Sequence, residues 1–365
     1  MAWIDTLMKQ MVELGASDLH MSSMQRPRFR LHGDMVDIAG QEEISSETMQ
    51  KYLLEIVPGI NRDQFQKEWD TDFAYEIEGL GRFRCNYFMD SHGPGGVFRH
   101  IPSEIITVEQ LKLPKAITDL CYLNKGLVIV TGPTGSGKST TLSAMIDHIN
   151  KIRHDHIITI EDPIEFVHKS KNCTINQREV HRHTESFKRA LRAALREDPD
   201  IVLVGEMRDL ETVEIAIETA ETGHLVLATL HTNTAASTVD RIIDQFPAGR
   251  QAQIRTMLSG SLRAVVAQNL CKKIPKGRTA ALEILIVNAA IANNIREGKT
   301  QQIVSSIQTG SRLGMCMLND SLMIHVNNKV IEPMEAYLKS VDKPDILKKL
   351  QAAGHNIDLS KSLDI

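Results

Sequence analysis

The stretch that decides the fold is Gly132-Pro133-Thr134-Gly135-Ser136-Gly137-Lys138-Ser139-Thr140. It matches the P-loop pattern in full and lies between the apolar run Leu127–Val130 and a predicted helix that begins near Thr140. In such a loop, glycines let successive backbone N–H groups turn toward phosphates, and the helix N-terminus adds positive potential. The pattern predicts that these residues bind ATP, with Lys138 on the β and γ phosphates and Ser139 as a ligand of Mg²⁺.

Short apolar runs on either side of this loop predict the core of its domain. They are Leu127–Val130, Ile157–Ile160, Ile201–Val204 and Leu225–Leu230. Runs that are apolar on both faces, with helical stretches between them, are typical of a parallel sheet covered by helices on both sides. Residues 115–365 are therefore predicted to form an α/β nucleotide-binding domain, which becomes mostly helical beyond about residue 290.

The first hundred residues follow a different pattern. Apolar residues recur there at helical spacing up to the stop at Gly15, namely Trp3, Ile4, Leu7, Met8, Met11, Val12 and Leu14. Alternation then predicts a hairpin whose turn is Gly79-Leu80-Gly81, with Phe73, Tyr75 and Ile77 before it and Phe83, Cys85 and Tyr87 after it. Residues 1–100 thus indicate a small α+β domain, and 101–114, with prolines near both ends, a linker.

Acidic residues follow two of the predicted strands directly. Glu206 comes just past Ile201–Val204, where a Walker B acid contacts the metal or its water. Glu161, Asp162 and Glu165 follow Ile157–Ile160, and one of them is a candidate for polarising the attacking water. A solvated loop is the alternative explanation for this acidic cluster.

Two histidines bracket the run Leu225–Leu230. His224 precedes it and His231 follows it, so they stand at opposite ends of one predicted strand. A neutral imidazole can hydrogen-bond a γ phosphate or relay its presence, although each histidine can equally be a structural residue. Neither has metal-ligand spacing with a cysteine, so no zinc site is expected.

Three arginines suggest an anion clamp in the first domain. Arg82 and Arg84 share one face of the second hairpin strand, because side chains alternate along a strand, and Arg99 lies in the next β-like run. Guanidinium groups on one face suit a γ phosphate delivered from another domain or subunit. A solvent-facing basic pair is the alternative.

Composition limits the class of protein. At 365 residues, with 42% hydrophobic and 24% charged residues, the chain suits two globular domains. Neither a signal peptide nor an apolar run of about 20 residues is evident, so we expect a cytoplasmic protein with no transmembrane segment. The net charge is −4 and no segment concentrates lysine and arginine, which argues against a nucleic acid partner. The five cysteines contain no CxxC pair and suggest neither a thiolate metal site nor disulfides.

Taken together, these motifs resemble the PilT family of type IV pilus retraction ATPases, within the secretion ATPase superfamily. The resemblance runs over nearly the whole chain, and its motifs stand in the family's order. They are Gly15–His20, the P-loop, the acidic box Ile160–Phe166, the Walker B run Ile201–Glu206 with Met207-Arg208-Asp209, and the histidine box Thr222–Thr232.

The resemblance implies a PAS-like N-terminal domain, a RecA-like ATPase domain and a homo-hexamer that binds ATP between domains. It implies that Arg82, Arg84 and Arg99 reach into the nucleotide site. It also implies a location at the pilus base, peripheral to the inner membrane, with the inner-membrane platform protein as partner. The implied function is an ATP-hydrolysing motor for pilus retraction, in which pilin is depolymerised and twitching motility results.

Two absences favour retraction over extension. Only Cys271 lies in the stretch where extension and type II secretion ATPases carry four cysteines. The extra N-terminal domain common in those enzymes is also not expected here. Retraction members share a C-terminal motif, AIRNLIRE, with which Ala290–Glu297 agrees at six of eight positions; Ala292 and Asn294 differ. A PilU-like accessory motor, paired with a paralogous retraction ATPase, therefore stays an alternative. So do a nucleotide-dependent scaffold with little hydrolysis and, less favoured at 4% aromatic residues, a RecA-like nucleic-acid motor.

Overall fold

The computed structural model of the chain describes residues 2–31, 33–101 and 104–357. It divides into two units. The first consists of Met1–Ile105 together with Pro163–Val167, and the second of Ile106–Asp162 and His168–Ile365. The segment Pro163–Val167 therefore belongs to the first unit, although the residues before and after it in the chain belong to the second.

The first unit is built on a six-stranded antiparallel sheet in the order β3-β2-β1-β6-β5-β4. Its strands are β1 (Asp18–Ser22), β2 (Arg28–Leu31), β3 (Asp34–Asp37), β4 (Asp70–Ile77), β5 (Gly81–Asp90) and β6 (Gly93–Ile101). Its helices are α1 (Trp3–Leu14), α2 (Ser46–Ile56) and α3 (Gly59–Glu68). The predicted hairpin is confirmed as β4 and β5, with Phe73 opposite Cys85 and Tyr75 opposite Phe83.

One face of this sheet is apolar and the other is charged. Phe83, Cys85, Tyr87 and Phe98 are buried in a single core with residues of α1 and α2. The apolar stripe of α1 is confirmed for its buried residues, and Gly15 ends the helix in the left-handed conformation at φ 68°. Leu14 lies in the helix as predicted but is 59% exposed at its last position, so it does not share in the buried stripe.

The second unit contains a seven-stranded sheet in the order β13-β12-β7-β11-β10-β8-β9, in which only β13 runs antiparallel to its neighbour. The strands are β7 (Gly126–Thr131), β8 (His156–Glu161), β9 (Thr174–Glu179), β10 (Ile201–Val204), β11 (Leu225–Leu230), β12 (Leu262–Lys272) and β13 (Arg278–Ile286). The helices are α4 (Lys115–Leu120), α5 (Lys138–Ile152), α6 (Phe187–Ala194), α7 (Leu210–Glu221), α8 (Ala235–Asp244), α9 (Ala248–Ser261), α10 (Ala289–Arg296), α11 (Gln301–Thr309), the 3₁₀ turn Ser311–Leu313, α12 (Leu318–Asn327), α13 (Pro333–Lys339) and α14 (Lys343–Ala352).

All four apolar runs form parallel strands, which confirms the predicted sheet. Alternate residues of β7 enter two different cores: Leu127 and Ile129 pack in one, Val128 and Val130 in the other. The sheet is thus covered on both faces, which explains why its strands read as continuous apolar runs. Helix α5 begins at Lys138, two residues before the predicted start near Thr140.

The C-terminal part is helical, as the sequence indicates. In α10, Ile291 and Ile295 are buried, whereas Ala292 and Asn294, the two residues that depart from the family motif, are partly exposed. Among the helices that the structure describes, none is both long and apolar enough to cross a membrane.

A buried carboxylate connects this helical part to the sheet. Glu283 of β13 is 4% exposed and accepts a hydrogen bond of 2.7 Å from the backbone N–H of Ala235, the first residue of α8. A second backbone N–H, that of Leu318 at the start of α12, also donates to it. Burial raises the pKa of Glu283, although these two donors oppose the shift.

We expect replacement of Glu283 to change stability in a pH-dependent way. A carboxyl group whose pKa is raised in the folded state contributes stability below its unfolded pKa and loses it as pH rises through the folded pKa. E283Q keeps an acceptor and has no charge, so its free energy of unfolding relative to wild type should improve from pH 4 to pH 7. E283A leaves two N–H groups unpaired and should cost about 1–3 kcal/mol. Urea titrations at both pH values measure this, and a pH-independent difference for E283Q would contradict it.

Candidate functional site

The P-loop connects β7 to α5 and has the backbone conformation that glycine permits. Gly132 has φ 145°, and a Cβ atom at this position would lie 2.2 Å from the carbonyl oxygen of Gln268. Gly137 has φ 89° and precedes α5, whose first turn receives no side-chain cap. The N–H groups at this helix start are therefore available to an anion.

The other residues of the loop divide between exposed and half-buried positions. Pro133, Thr134 and Gly135 are exposed at its apex, Ser136 is buried beneath them, and Ser139 and Thr140 are half-buried in the first turn of α5. The ammonium group of Lys138 donates to the carbonyl oxygens of Gly132 at 2.8 Å and Pro133 at 3.2 Å. Lys138 therefore curls back over the loop that it belongs to.

A glutamine that the sequence analysis missed supports the loop from below. Gln268 of β12 is 4% exposed; its Nε2 donates to the carbonyl oxygen of Ser136 at 2.6 Å, and its Oε1 accepts from Thr141 Oγ1 at 2.8 Å. One side chain thus holds the loop and the first turn of α5 together. The signal in the sequence is a polar residue directly after the apolar run Ala264–Ala267, inside the same strand, where a buried polar group needs hydrogen-bond partners.

Four parallel strands end at the edge of the sheet that carries the P-loop. Because β7, β11, β10 and β8 run in the same direction, the residues that follow them share this edge. Those residues include Gly132, His231, Glu206 and Asp162. Thr131, at the end of β7, donates from Oγ1 to the carbonyl oxygen of Thr232 at 2.8 Å, which ties the P-loop strand to the segment after β11.

Glu206 has two partners at this edge. Its Oε1 accepts from Arg208 Nε at 2.7 Å and lies 3.1 Å from His231 Nε2. Burial raises the pKa of Glu206, but the hydrogen bond and charge of Arg208, with a contribution from His231, more than offset this and hold the pKa below its usual value. The hydrogen bond to Glu206 in turn raises the pKa of Arg208, and the charge of Asp162 adds to the shift. Arg208 belongs to the motif Met207-Arg208-Asp209, but the motif alone does not indicate its pairing with Glu206.

The three acids after β8 are not equivalent. Glu161 Oε1 accepts from Thr159 Oγ1 at 2.6 Å and from Gln177 Nε2 at 3.1 Å, whereas Asp162 is exposed. Glu165 is half-buried and lies in the segment that groups with the first unit.

Gln177 of β9 fixes the base of the segment that contains Glu165. Its Nε2 donates to Glu161 before the segment, and its Oε1 accepts from the backbone N–H of His168 after it, at 2.7 Å. The sequence analysis missed this contact too, because nothing in the local sequence of β9 indicates it.

The structure does not bring His224 to the edge that carries Gly132, Glu206 and His231. It precedes β11 and therefore lies at the opposite edge, where its backbone carbonyl accepts from Gly126 N at 3.0 Å. Its Nδ1 lies 3.1 Å from the carbonyl oxygen of Thr219. The prediction that the two histidines stand at opposite ends of one strand is confirmed, and within one subunit that strand separates their rings.

The three arginines lie on the charged face of the first unit's sheet. Arg84 on β5 stands directly opposite Arg99 on β6, and Arg82 lies two residues along β5 on the same face. Arg84 Nε is 3.9 Å from Asp72 Oδ1, a loose contact between half-exposed groups. Arg99 Nε donates to Asp18 Oδ1 at 2.7 Å.

These residues fit a nucleoside triphosphate with a divalent cation. The glycine backbone of the loop, the uncapped start of α5 and the ammonium of Lys138 suit a chain of phosphates. The Ser139 hydroxyl and the carboxylate of Glu206 are oxygen donors of the type that Mg²⁺ prefers.

Comparison with known proteins agrees with this fit. A family described as "Type II/IV secretion system protein" matches residues 1–283. The chain is 52% identical over 305 residues to the type IV pilus retraction ATPase PilT of Pseudomonas aeruginosa, covering 84% of this chain and 88% of that protein. It is 39% identical over 319 residues to the type IV pilus ATPase PilU of the same organism, covering 87% and 83%.

A crystal structure described as the pilus retraction motor PilT with bound ADP superimposes with a TM-score of 0.88. Its sequence is 43% identical, and the match covers 95% of this chain and 99% of that one. The predicted fold class is thereby confirmed: a PAS-like α+β domain is followed by a RecA-like P-loop domain with C-terminal helices.

We expect G132A to weaken nucleotide binding at least about tenfold, because the added methyl group meets a backbone carbonyl at 2.2 Å in a conformation that disfavours side chains. Isothermal titration with ATP and with ADP measures the dissociation constants. G260A is the matched control, since a Cβ at Gly260 on α9 has open space around it. Equal affinity in G132A and wild type would show that the loop does not bind the phosphates.

Proposed function

The chain belongs to the type II/IV secretion system protein family, and within it we propose that the protein is the ATP-hydrolysing motor of type IV pilus retraction. The observation that carries the proposal is the convergence of a complete P-loop with Glu206 and His231 at one edge of the sheet. Identity of 52% to a retraction ATPase over most of both chains supports the biological role.

Each residue of the site has a proposed role. Lys138 and the backbone N–H groups of the P-loop other than at Pro133 bind the phosphates, and Ser139 with Glu206 would hold Mg²⁺. When bound, Mg²⁺ neutralises charge on the phosphate oxygens. We assign to Glu206, which Arg208 keeps ionised, the role of orienting and polarising the attacking water, while His231 contacts the same carboxylate. Glu161, Asp162 and Glu165 supply a second set of carboxylates, of which Glu161 is held by Gln177.

The motor requires that hydrolysis be coupled to movement. We assign Arg82, Arg84 and Arg99 to charge stabilisation at the phosphates in a closed arrangement of domains, within a ring of six subunits. Repeated opening and closing then acts on the inner-membrane platform protein, which places the ring on the cytoplasmic side of the inner membrane at the pilus base. Pilin depolymerisation and twitching motility are the output.

A PilU-like accessory motor is the second candidate, because Ala292 and Asn294 depart from the retraction motif. Both lie at partly exposed positions of α10 and leave its buried anchors Ile291 and Ile295 intact, and identity to PilU is lower at 39%. Expression of the chain in a strain without PilT but with PilU distinguishes the two: a retraction motor restores twitching, whereas an accessory motor does not.

We expect E206Q to bind ATP with near wild-type affinity and to reduce steady-state phosphate release by at least about 100-fold, because the amide cannot polarise water. Binding and phosphate release are measured on the same full-length preparation. E185Q, which changes an exposed acid on the segment before α6, should hydrolyse normally. Near-normal turnover in E206Q would remove the role of Glu206, and slow turnover in wild type itself would favour a scaffold.

Arg208 should set the pH dependence of turnover. Its guanidinium lowers the pKa of Glu206, so R208Q raises that pKa and the ionised fraction falls at acidic pH. The acid limb of kcat/KM should therefore move to higher pH in R208Q. R189Q, which removes an exposed arginine paired with Glu185, should leave the limb in place. An unshifted limb in R208Q would mean that Glu206 is not the group whose ionisation controls the rate.

A further inference from the structure

The segment Gly15–His20 is one of the motifs that the proposed site does not use, yet it contains a carboxylate with unusual surroundings. The side chain of Asp18 on β1 is 4% exposed. Its Oδ2 accepts from Ser17 Oγ at 2.6 Å, and its Oδ1 accepts from Arg99 Nε at 2.7 Å. Burial raises the pKa of Asp18, but these two donors and the charge of Arg99 bring it below its usual value.

The guanidinium of Arg99 is held at one edge and open at the other. Its side chain is 64% exposed although its carboxylate partner is buried. Among residues 2–31, 33–101 and 104–357, Asp18 is the one side chain that hydrogen-bonds it, and the bond uses Nε. The two terminal nitrogens, Nη1 and Nη2, are the pair that binds a phosphate in a bidentate manner. Anchoring through Nε leaves that pair available and reduces the rotamer freedom of a long side chain.

The surroundings of Arg99 have an excess of positive charge. Arg30, Asp18, Arg99 and Arg84 stand in one row across β2, β1, β6 and β5, so one carboxylate faces three guanidinium groups. Like charges directly opposite each other on neighbouring strands destabilise a sheet. Burial lowers the pKa of His20, and Arg30 and Arg99 add to this, so the imidazole does not add a charge at neutral pH. The row thus carries two more positive charges than negative ones, and Asp72, outside the row, offers Arg84 only a loose contact at 3.9 Å.

We infer that Asp18 is a positioning residue that presents the terminal amino groups of Arg99 to the phosphates of the nucleotide. The inference rests on the proposed function, to which it adds the residue that orients one of the arginines. Ser17 completes the arrangement by fixing the second oxygen of Asp18. Loss of the outer residues that orient metal ligands typically costs about 10–100-fold in affinity or activity, and we expect an effect of that order for a residue that orients an arginine.

A second arginine–aspartate pair on the same sheet provides the contrast. Arg28 Nε donates to Asp37 Oδ1 at the same distance, 2.7 Å, but Asp37 is 50% exposed. Such surface pairs contribute little, about 0–1 kcal/mol. The difference lies in burial, because a buried carboxylate keeps its partner in one place whereas an exposed one shares it with water.

The test is a double-mutant cycle in full-length protein with D18A, R99A and D18A/R99A, with D37A as control and K138A as the inactive reference. We expect kcat to fall about 10-fold or more in D18A with KM for ATP changed less than about threefold, and further in R99A. Because Asp18 acts through Arg99, the double variant should be no slower than R99A alone. D18N keeps an acceptor without the charge and should lie between wild type and D18A; it also serves if D18A does not fold.

Each other outcome is decisive. Effects of D18A and R99A that multiply, or a D18A effect equal to that of D37A, would reduce Asp18 to a structural residue. If R99A has the kcat of wild type while K138A is inactive, Arg99 has no role at the phosphates and the inference about Asp18 fails. The proposal that the protein is an ATPase would still hold. Full activity in K138A would overturn the proposed function itself.

Discussion

The parallel alignment of β7, β11, β10 and β8 is the constraint on which the rest of the second unit depends. Register pairs Val204 with Ala228 and Thr131 with Leu230, so these strands end within two residues of one another and the polar residues that follow them share one edge. Helices cover both faces of the apolar strands and so bury them. Polar residues can then reach solvent or a ligand only at the ends of the strands.

Carboxylates with assigned donors recur throughout the molecule. Glu206 is held by Arg208 and His231, Glu161 by Gln177, Asp18 by Arg99, and Glu283 by two helix N-termini. A partly buried carboxylate without partners would become neutral or would destabilise the fold. Each of these acids therefore needs its hydrogen-bond donors in order to stay ionised or buried, and the donors fix its position. The same pairing that stabilises the charge also orients the oxygen atoms, which is what a site for phosphate and metal needs.

The sequence predicted those features that depend on neighbours in the chain. Apolar runs located four strands, alternation located the β4–β5 hairpin, and the P-loop pattern located the phosphate site. It did not predict the support of Ser136 by Gln268, which lies 132 residues away, because no local pattern reports such a contact. It did place His224 and His231 at the two ends of one strand, and those ends lie at opposite edges of the sheet although both residues belong to one motif.

Glu206 is engaged twice, and this limits how it can act. Its pairing with Arg208 keeps it ionised but also directs one oxygen away from any water, whereas His231 approaches the same oxygen from β11. His231 is followed by Thr232, whose carbonyl oxygen and N–H both bond Thr131 Oγ1 immediately before Gly132. A continuous set of hydrogen bonds therefore connects the start of the P-loop to the carboxylate. The charge that keeps Glu206 ionised comes mainly from Arg208, which follows β10, whereas the contact that connects Glu206 to the P-loop comes from His231, which follows β11.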